Sequence, residues 1–304
     1  MDVATENTAR KIVRKLFTGG FQLRPLPSQT SIVLGVDFTD GREGVVLKIP
    51  TNNEQEILRE QRILDAMDSA DIPVPQVLYT QENNPVDESV YTIMRRITGP
   101  SLHDVIHNDD QQTEAIFTKI GDLTARLAAL DPTCIPDALH LQRTQADELN
   151  WWETHLDFIT RHRLTTSPLD HIYHAARGIM LAPPTAFGHR DGVQVVTDGS
   201  NVFLVDVGSA GMNWPDADFA RLLYAGVAWY DGAMQRVWRE AVQEAYLQNR
   251  DLSDADVERI LIFMIYYALR DAAQYAVSGK TSHVEDQYQI ADYFLKSARE
   301  WFGR

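Results

Sequence analysis

Phe187-Gly188-His189-Arg190-Asp191 opens a stretch that continues through Val202-Phe203-Leu204-Val205-Asp206-Val207-Gly208 to Ala220, and its reading decides the fold. Two aspartates stand at strand-and-turn junctions, Asp191 after a His-Arg pair and Asp206 at the end of an apolar run. Phosphoryl transfer needs two such acids, one to receive the nucleophile's proton and one to hold the divalent cation that neutralises phosphates. Asp beside Gly is also ordinary turn chemistry. The pair therefore takes its meaning from the rest of the chain.

Upstream, residues 32–36 and 44–49 are β-rich runs joined by Thr39-Asp40-Gly41-Arg42, which predicts a hairpin. Residues 7–17 read as a short basic helix and 21–27 as extended. Asn53 is placed to cap a helix over residues 54–68, with Ile57, Leu64 and Met67 on one face. Pro73-Val74-Pro75 forces extension before a strand at 76–79, and residues 90–97 form another. After Thr98-Gly99-Pro100-Ser101 the texture turns helical: Ile116, Ile120, Leu123, Leu127 and Leu130 recur at helical spacing and stop at Asp131-Pro132. Helical patterns continue over 151–160 and 170–181 and resume from Phe219 to the end. The order predicts an α+β fold of two lobes with a cleft between them. Residues 1–97 would form a small antiparallel sheet with one helix, and 98–304 a larger, mainly helical lobe.

At 304 residues the chain is long enough for two such lobes. The densest apolar run, residues 260–269, is about half the ~20 residues a membrane helix needs, and no apolar N-terminal segment resembles a signal peptide. These features predict a cytoplasmic protein with no membrane partner. Cys134 is the sole cysteine, so an internal disulfide and a cysteine metal cage are excluded. The formal charge of -15 argues against a nucleic-acid partner, which calls for a basic face, and fits a cationic small substrate better than an anionic one. No feature bears on oligomeric state.

Several further segments, in order from about residue 26 to 223, carry a resemblance. They are Val45-Val46-Leu47-Lys48-Ile49-Pro50, Arg59-Glu60-Gln61-Arg62-Ile63-Leu64, Ile72-Pro73-Val74-Pro75-Gln76-Val77-Leu78, residues 91–102, residues 124–132, Asp206-Val207-Gly208-Ser209-Ala210-Gly211 and Pro215-Asp216-Ala217-Asp218-Phe219-Ala220. The set resembles the aminoglycoside phosphotransferase and choline kinase-like branch of the protein-kinase fold. The resemblance implies a bilobal kinase-like fold that uses ATP or GTP with Mg2+ to phosphorylate a hydroxyl of a small molecule. It makes Lys48 the nucleotide-binding lysine, with Glu60 as its anchor. Glu56, one turn earlier, is the competing partner, and both also fit a solvated helix face. It further places Met94 and Arg96 at the nucleotide hinge, Asp191 as catalytic acceptor of the hydroxyl proton and Asp206 on the metal. His189 and Arg190 would support the loop, and Asp218 would brace it.

Two departures stand out. The family's asparagine five residues after the catalytic aspartate falls on Val196. If the strand that follows is matched instead, the loop is two residues short and Gln194 takes the place of that metal ligand. The phosphate-covering segment Pro27-Ser28-Gln29-Thr30-Ser31-Ile32 has no glycine, so the hydroxyls of Ser28, Thr30 and Ser31 would serve as donors. The shortened loop leaves an alternative, a catalytically impaired relative that binds nucleotide or a protein partner. The pair Trp151-Trp152 with His155 and Phe158, and Tyr266-Tyr267 with Tyr275, read as core. Trp214 has the better positional claim to lie near substrate, and the acceptor site is not named by the sequence.

Overall fold

The computed structural model describes residues 3–26, 28, 31–51, 54–86, 88–102, 104, 113–132, 149–150, 153–154, 167–190, 194–280 and 282–303. The chain divides into two compact units, Met1–Asp104 with Gln194–Gly208, and Val105–Val193 with Ser209–Arg304. The sequence reading cuts the chain once, after residue 97. The observed units instead group the turn that carries Asp206 with the first.

The first unit is built on a sheet of β1 (Phe21–Leu26), β2 (Ser31–Phe38), β3 (Val45–Pro50), β4 (Val77–Thr80) and β5 (Thr92–Arg95). The strand order is β1-β2-β3-β5-β4, with every neighbour antiparallel. Alternate side chains of a strand face opposite ways, and the sequence uses both faces. Leu34, Val36 and Phe38 with Val45, Leu47, Ile49 and Ile93 form one buried face. Helix α1 (Val3–Leu16) covers it with Ala9, Ile12 and Val13, none of them exposed. This helix starts four residues before the expected one, in a turn where Glu6 pairs with Arg10 at 2.7 Å. The other face carries Lys48 and Met94, and helix α2 (Glu54–Ser69) buries Ile57, Ile63, Leu64 and Met67. The hairpin turn uses Gly41 at φ +79°, a conformation that favours glycine.

Two short strands, β7 (Val195–Thr197) and β8 (Val202–Leu204), pair antiparallel and belong to the same unit. They are tied down by Thr197 N–H donating to the Pro100 carbonyl at 3.1 Å and Leu204 N–H to the Pro73 carbonyl at 2.9 Å. A Cβ on Gly99 would lie 1.7 Å from the Thr197 carbonyl oxygen, so glycine is a steric requirement there.

The second unit contains α3 (Thr113–Ala129), α4 (Ser167–Met180), the antiparallel pair β6 (Ala186–Gly188) and β9 (Gly211–Asn213), and α5 (Ala217–Trp229). Helices α6 (Gly232–Gln248), α7 (Asp254–Val277) and α8 (Ser282–Ser297) follow. Helix α7 begins with a reciprocal cap: Ser253 accepts from Asp256 N–H and the Asp256 carboxylate accepts from Ser253 N–H. It is long and apolar enough to cross a membrane, yet Ile260, Met264, Ala268, Leu269 and Ala272 have no exposure. Its apolar faces are spent on packing. Phe219 and Tyr246 stack in parallel, with centroids 3.8 Å apart, joining α5 to α6.

Candidate active site

Lys48 lies on β3 opposite Val33 of β2 and Thr92 of β5, so its side chain shares a face with Val46 and Met94. It is 7% exposed, and its Nζ meets Glu60 Oε2, itself 6% exposed, at 2.5 Å. Glu56 is exposed, which decides between the two candidate anchors in favour of Glu60. Burial pushes the Glu60 carboxyl above its usual range against the pull of Lys48. Asp206 Oδ1 stands 3.6 Å from the same Nζ.

Asp206 differs from Glu60 in one decisive respect: its side chain is 62% exposed. Its backbone adopts φ +56°, a left-handed turn that Asp tolerates better than most residues. Arg59 of α2 donates to the Gly208 carbonyl and so ties this turn to the helix that carries Glu60. Gln194 is exposed, and its carbonyl accepts from Val205 N–H at 2.9 Å, next to Asp206 in the chain. Among the described residues no three His, Cys, Asp or Glu converge as a metal cage. An exposed Asp206 carboxylate still fits Mg2+, which is held by one or two carboxylates together with phosphate oxygens and water.

The other expected nucleotide residues are placed unevenly. Met94 is buried on the Lys48 face, opposite Val46 and Val77. Arg96, one residue beyond β5, pairs through its guanidinium with Asp37 of β2 at 2.5 Å, and Arg24 of β1 joins Asp37 at 3.6 Å. Its charge is thus already engaged, a partner the sequence reading did not supply. Ser28 Oγ accepts from Ser31 N–H at 3.3 Å, and Ser31 begins β2. Thr30 and the catalytic candidate Asp191 lie outside the described residues, as do Trp151, Trp152, His155 and Phe158.

The second unit holds the loop leading to Asp191. Asp218, in the first turn of α5, accepts from His189 N–H at 2.6 Å, Arg190 N–H at 3.0 Å and Asn213 Nδ2 at 2.9 Å. Burial raises its pKa, and His189 with the two backbone N–H groups pulls it back. A Cβ on Gly188 would sit 2.6 Å from both Asp218 Oδ2 and Asn213 Nδ2, so this cradle needs glycine. Arg190 adopts φ +67°, at a cost of about 1–2 kcal/mol for a residue with a Cβ.

Asp216 is the structural neighbour to which the sequence reading gave no role. It sits at φ +62° just before α5, and its carboxylate has no exposure. Oδ1 accepts from the Tyr246 hydroxyl and from Arg250 Nε, both at 2.6 Å, and Oδ2 from Arg259 Nη2 at 2.6 Å. Arg259 Nε also donates to the Pro215 carbonyl at 3.1 Å. The signal was an Asp in a Pro-Asp-Ala-Asp run, with partners 30 to 43 residues downstream that nothing local identifies. Arg190, Asp206 and Asp216 are three of the four non-glycine residues with positive φ among the described residues. Such strain clusters where surrounding structure over-determines the backbone, commonly at functional sites.

Residues 26–256 match the model of the phosphotransferase enzyme family. No curated protein matches the sequence. Among solved structures the fold is similar to that of a microcompartment-associated aminopropanol kinase, at 16% identity over 96% of this chain and 98% of that one, with a TM-score of 0.63. It is similar to the gentamicin-bound APH(2")-IIa, at 16% identity over 99% and 98%, TM-score 0.58. It is also similar to the spectinomycin phosphotransferase APH(9)-Ia in complex with ADP and spectinomycin, at 11% identity over 95% and 93%, TM-score 0.55. These likenesses show a shared α+β, kinase-like fold. None of them supports the reading of a catalytically impaired relative.

Proposed function

Because the chain belongs to the phosphotransferase enzyme family, we propose that it transfers the γ-phosphoryl group of ATP or GTP to a hydroxyl of a small polar acceptor. The observation that carries this reading is Lys48, buried and held by Glu60 at 2.5 Å, with the exposed Asp206 carboxylate 3.6 Å away. A fixed cation beside an open acid is what a nucleotide's phosphates and their metal require.

In this reading residues 1–97 bind the nucleotide and 98–304 supply the acceptor's surroundings. Lys48 neutralises phosphate oxygens, and Glu60 keeps its ammonium from turning away. Asp206, with the Gln194 side chain as second donor, would hold Mg2+, which when bound screens the charge on the transferring group. Met94 packs against the base, while the segment of Ser28, Thr30 and Ser31 offers hydroxyl donors to the phosphates. Arg96 borders the base through a side chain already steered by Asp37. Asp191 receives the acceptor's hydroxyl proton as the new O–P bond forms and the bond to the nucleoside diphosphate breaks. Asp218 sets the backbone that leads to it. The protein works in the cytoplasm, where nucleoside triphosphate is available.

The test is thermal stabilisation by ATP and by GTP, with and without Mg2+, together with turnover on an acceptor panel. Lys48→Met is expected to lose stabilisation by either nucleotide, and Asp206→Ala to lose only the Mg2+-dependent part. Asp191→Ala is expected to bind nucleotide normally and lose turnover by ~100-fold or more. Binding of neither nucleotide by the native protein would sink the assignment.

A further inference from the structure

Arg59 and Glu60 stand side by side on α2 and reach in different directions, as consecutive helix residues must. Glu60 meets Lys48 of β3, while the half-buried Arg59 guanidinium donates to the carbonyl of Gly208. One turn of one helix thus grips both the lysine and the turn that carries Asp206.

Asp206 needs such a grip. Its side chain is 62% exposed, and the Lys48 ammonium it pairs with stands at 3.6 Å, too far for a hydrogen bond. Its φ of +56° is one that a residue with a Cβ keeps only where the surrounding structure holds it. The carboxylate is therefore aimed by the backbone on each side of it. Upstream, Val205 N–H donates to the Gln194 carbonyl at 2.9 Å. Downstream, Val207 has no exposure, and Gly208 gives its carbonyl to Arg59. Gly208 lies beside both acids, since a Cβ there would be 3.9 Å from Asp206 Oδ1 and 4.0 Å from Glu60 Oε2. A shift of this glycine moves the exposed acid relative to the lysine.

We infer that Arg59 is a positioning residue for the divalent cation: its hydrogen bond to Gly208 holds the Asp206 carboxylate where it can bind Mg2+, and so sets the metal affinity. The inference rests on the phosphoryl-transfer reading for the metal, and on the bond between Arg59 and Gly208 for the coupling. That bond is charge-assisted and so of the stronger kind. Groups that hold a metal ligand in place commonly change metal affinity by about 10- to 100-fold when removed.

Electrostatics alone predicts the opposite sign. The Arg59 charge lies close enough to Glu60 to favour its ionised form, and a cation in that neighbourhood repels Mg2+. If charge were all that counted, removing Arg59 would tighten metal binding. Positioning makes removal weaken it.

The test titrates free Mg2+ into the full chain at saturating ATP or GTP and reads the melting temperature. Arg59→Met keeps an apolar stem without the donor, and is expected to raise the Mg2+ midpoint by roughly tenfold or more. Its affinity for nucleotide without Mg2+ should be unchanged, because Lys48 and Glu60 remain paired. Arg59→Lys keeps the charge and a donor on a differently shaped head, so it should fold normally and still raise the midpoint, by less. Amide hydrogen exchange over residues 205–209 of the unliganded protein should be faster in Arg59→Met, a change that loss of charge alone would not produce. An equal loss of affinity for metal-free nucleotide would overturn the inference, since Arg59 would then act through Glu60. Native Mg2+ dependence that Arg59→Met leaves unchanged or strengthens would overturn the inference alone. A native protein that binds nucleotide and gains nothing from Mg2+ would overturn the metal reading of Asp206 and the inference together.

Discussion

In the first unit a buried lysine meets one buried carboxylate and one that is mostly exposed. In the second, a carboxylate with no exposure meets two arginines and a tyrosine hydroxyl at once. The formal charges differ accordingly. Lys48, Glu60 and Asp206 leave one excess negative charge, carried on the open acid, whereas Asp216, Asp256, Arg250 and Arg259 sum to zero. A cluster closed on itself has nothing to offer a ligand, and its work is to hold the αL backbone that leads into Asp218. A cluster left open on one side can be completed by a cation and by phosphates.

The comparison breaks most visibly under truncation. Asp216→Ala takes the shared anion from two half-buried guanidiniums and leaves only Asp256 beside Arg259, and the expected loss is about 3–5 kcal/mol of unfolding free energy. Asp206→Ala removes an exposed acid and should stay within about 0.5 kcal/mol of the native protein. Urea titration of the two variants side by side reads both. Equal losses would erase the distinction between a closed and an open cluster.

Acid sharpens it next. Burial raises the pKa of Glu60 above the unfolded value, so the folded state binds that proton more tightly than the unfolded chain does. Stability from this group is therefore full below the ordinary carboxylate range and is lost as pH rises through the raised value. Nucleotide affinity moves the other way, because a protonated Glu60 no longer anchors Lys48. Within that window, lowering the pH should raise this group's contribution to the melting temperature while weakening nucleotide binding. Glu60→Gln should flatten both trends. Parallel loss of stability and affinity in the native protein on acidification through the window, unchanged in Glu60→Gln, would show that another group controls them.

How much of this was legible in the sequence depends on the range of the interactions. The strands around Lys48 and the turn at Asp206 were readable because alternation, Asp-Gly turns and proline stops are local signals. Glu60 could be proposed as anchor yet not separated from Glu56, since residues one turn apart share a helix face and only packing against the sheet decides which of them is covered. Asp218 was readable as a brace by resemblance alone, since two of its three partners are backbone N–H groups that any sequence has and the third, the Asn213 amide, comes near only through the β6–β9 pairing. Asp216 was not, because its three partners lie on α6, in the loop after it and on α7, and become neighbours only when those helices pack. Arg96 shows the same limit in the first unit: its place beside β5 was expected, but its pairing with Asp37 depends on strand order across β3.

That Arg24–Asp37–Arg96 bridge gives the smallest effect and the finest test of the comparison. It is neither closed nor open: Asp37 is about half exposed, with Arg96 more covered than Arg24. Exposed pairs contribute about 0–1 kcal/mol and are screened by salt, so Asp37→Asn should cost no more than that and the cost should shrink toward zero in about 0.5 M salt. The loss from Asp216→Ala should persist at the same salt, because ions do not reach a carboxylate without exposure. Urea midpoints of both variants at low and high salt separate the two cases. A salt-independent cost at Asp37 would mean that the Arg96 guanidinium is locked across the sheet as firmly as Arg250 and Arg259 are around Asp216, and that it could not turn to meet a nucleotide.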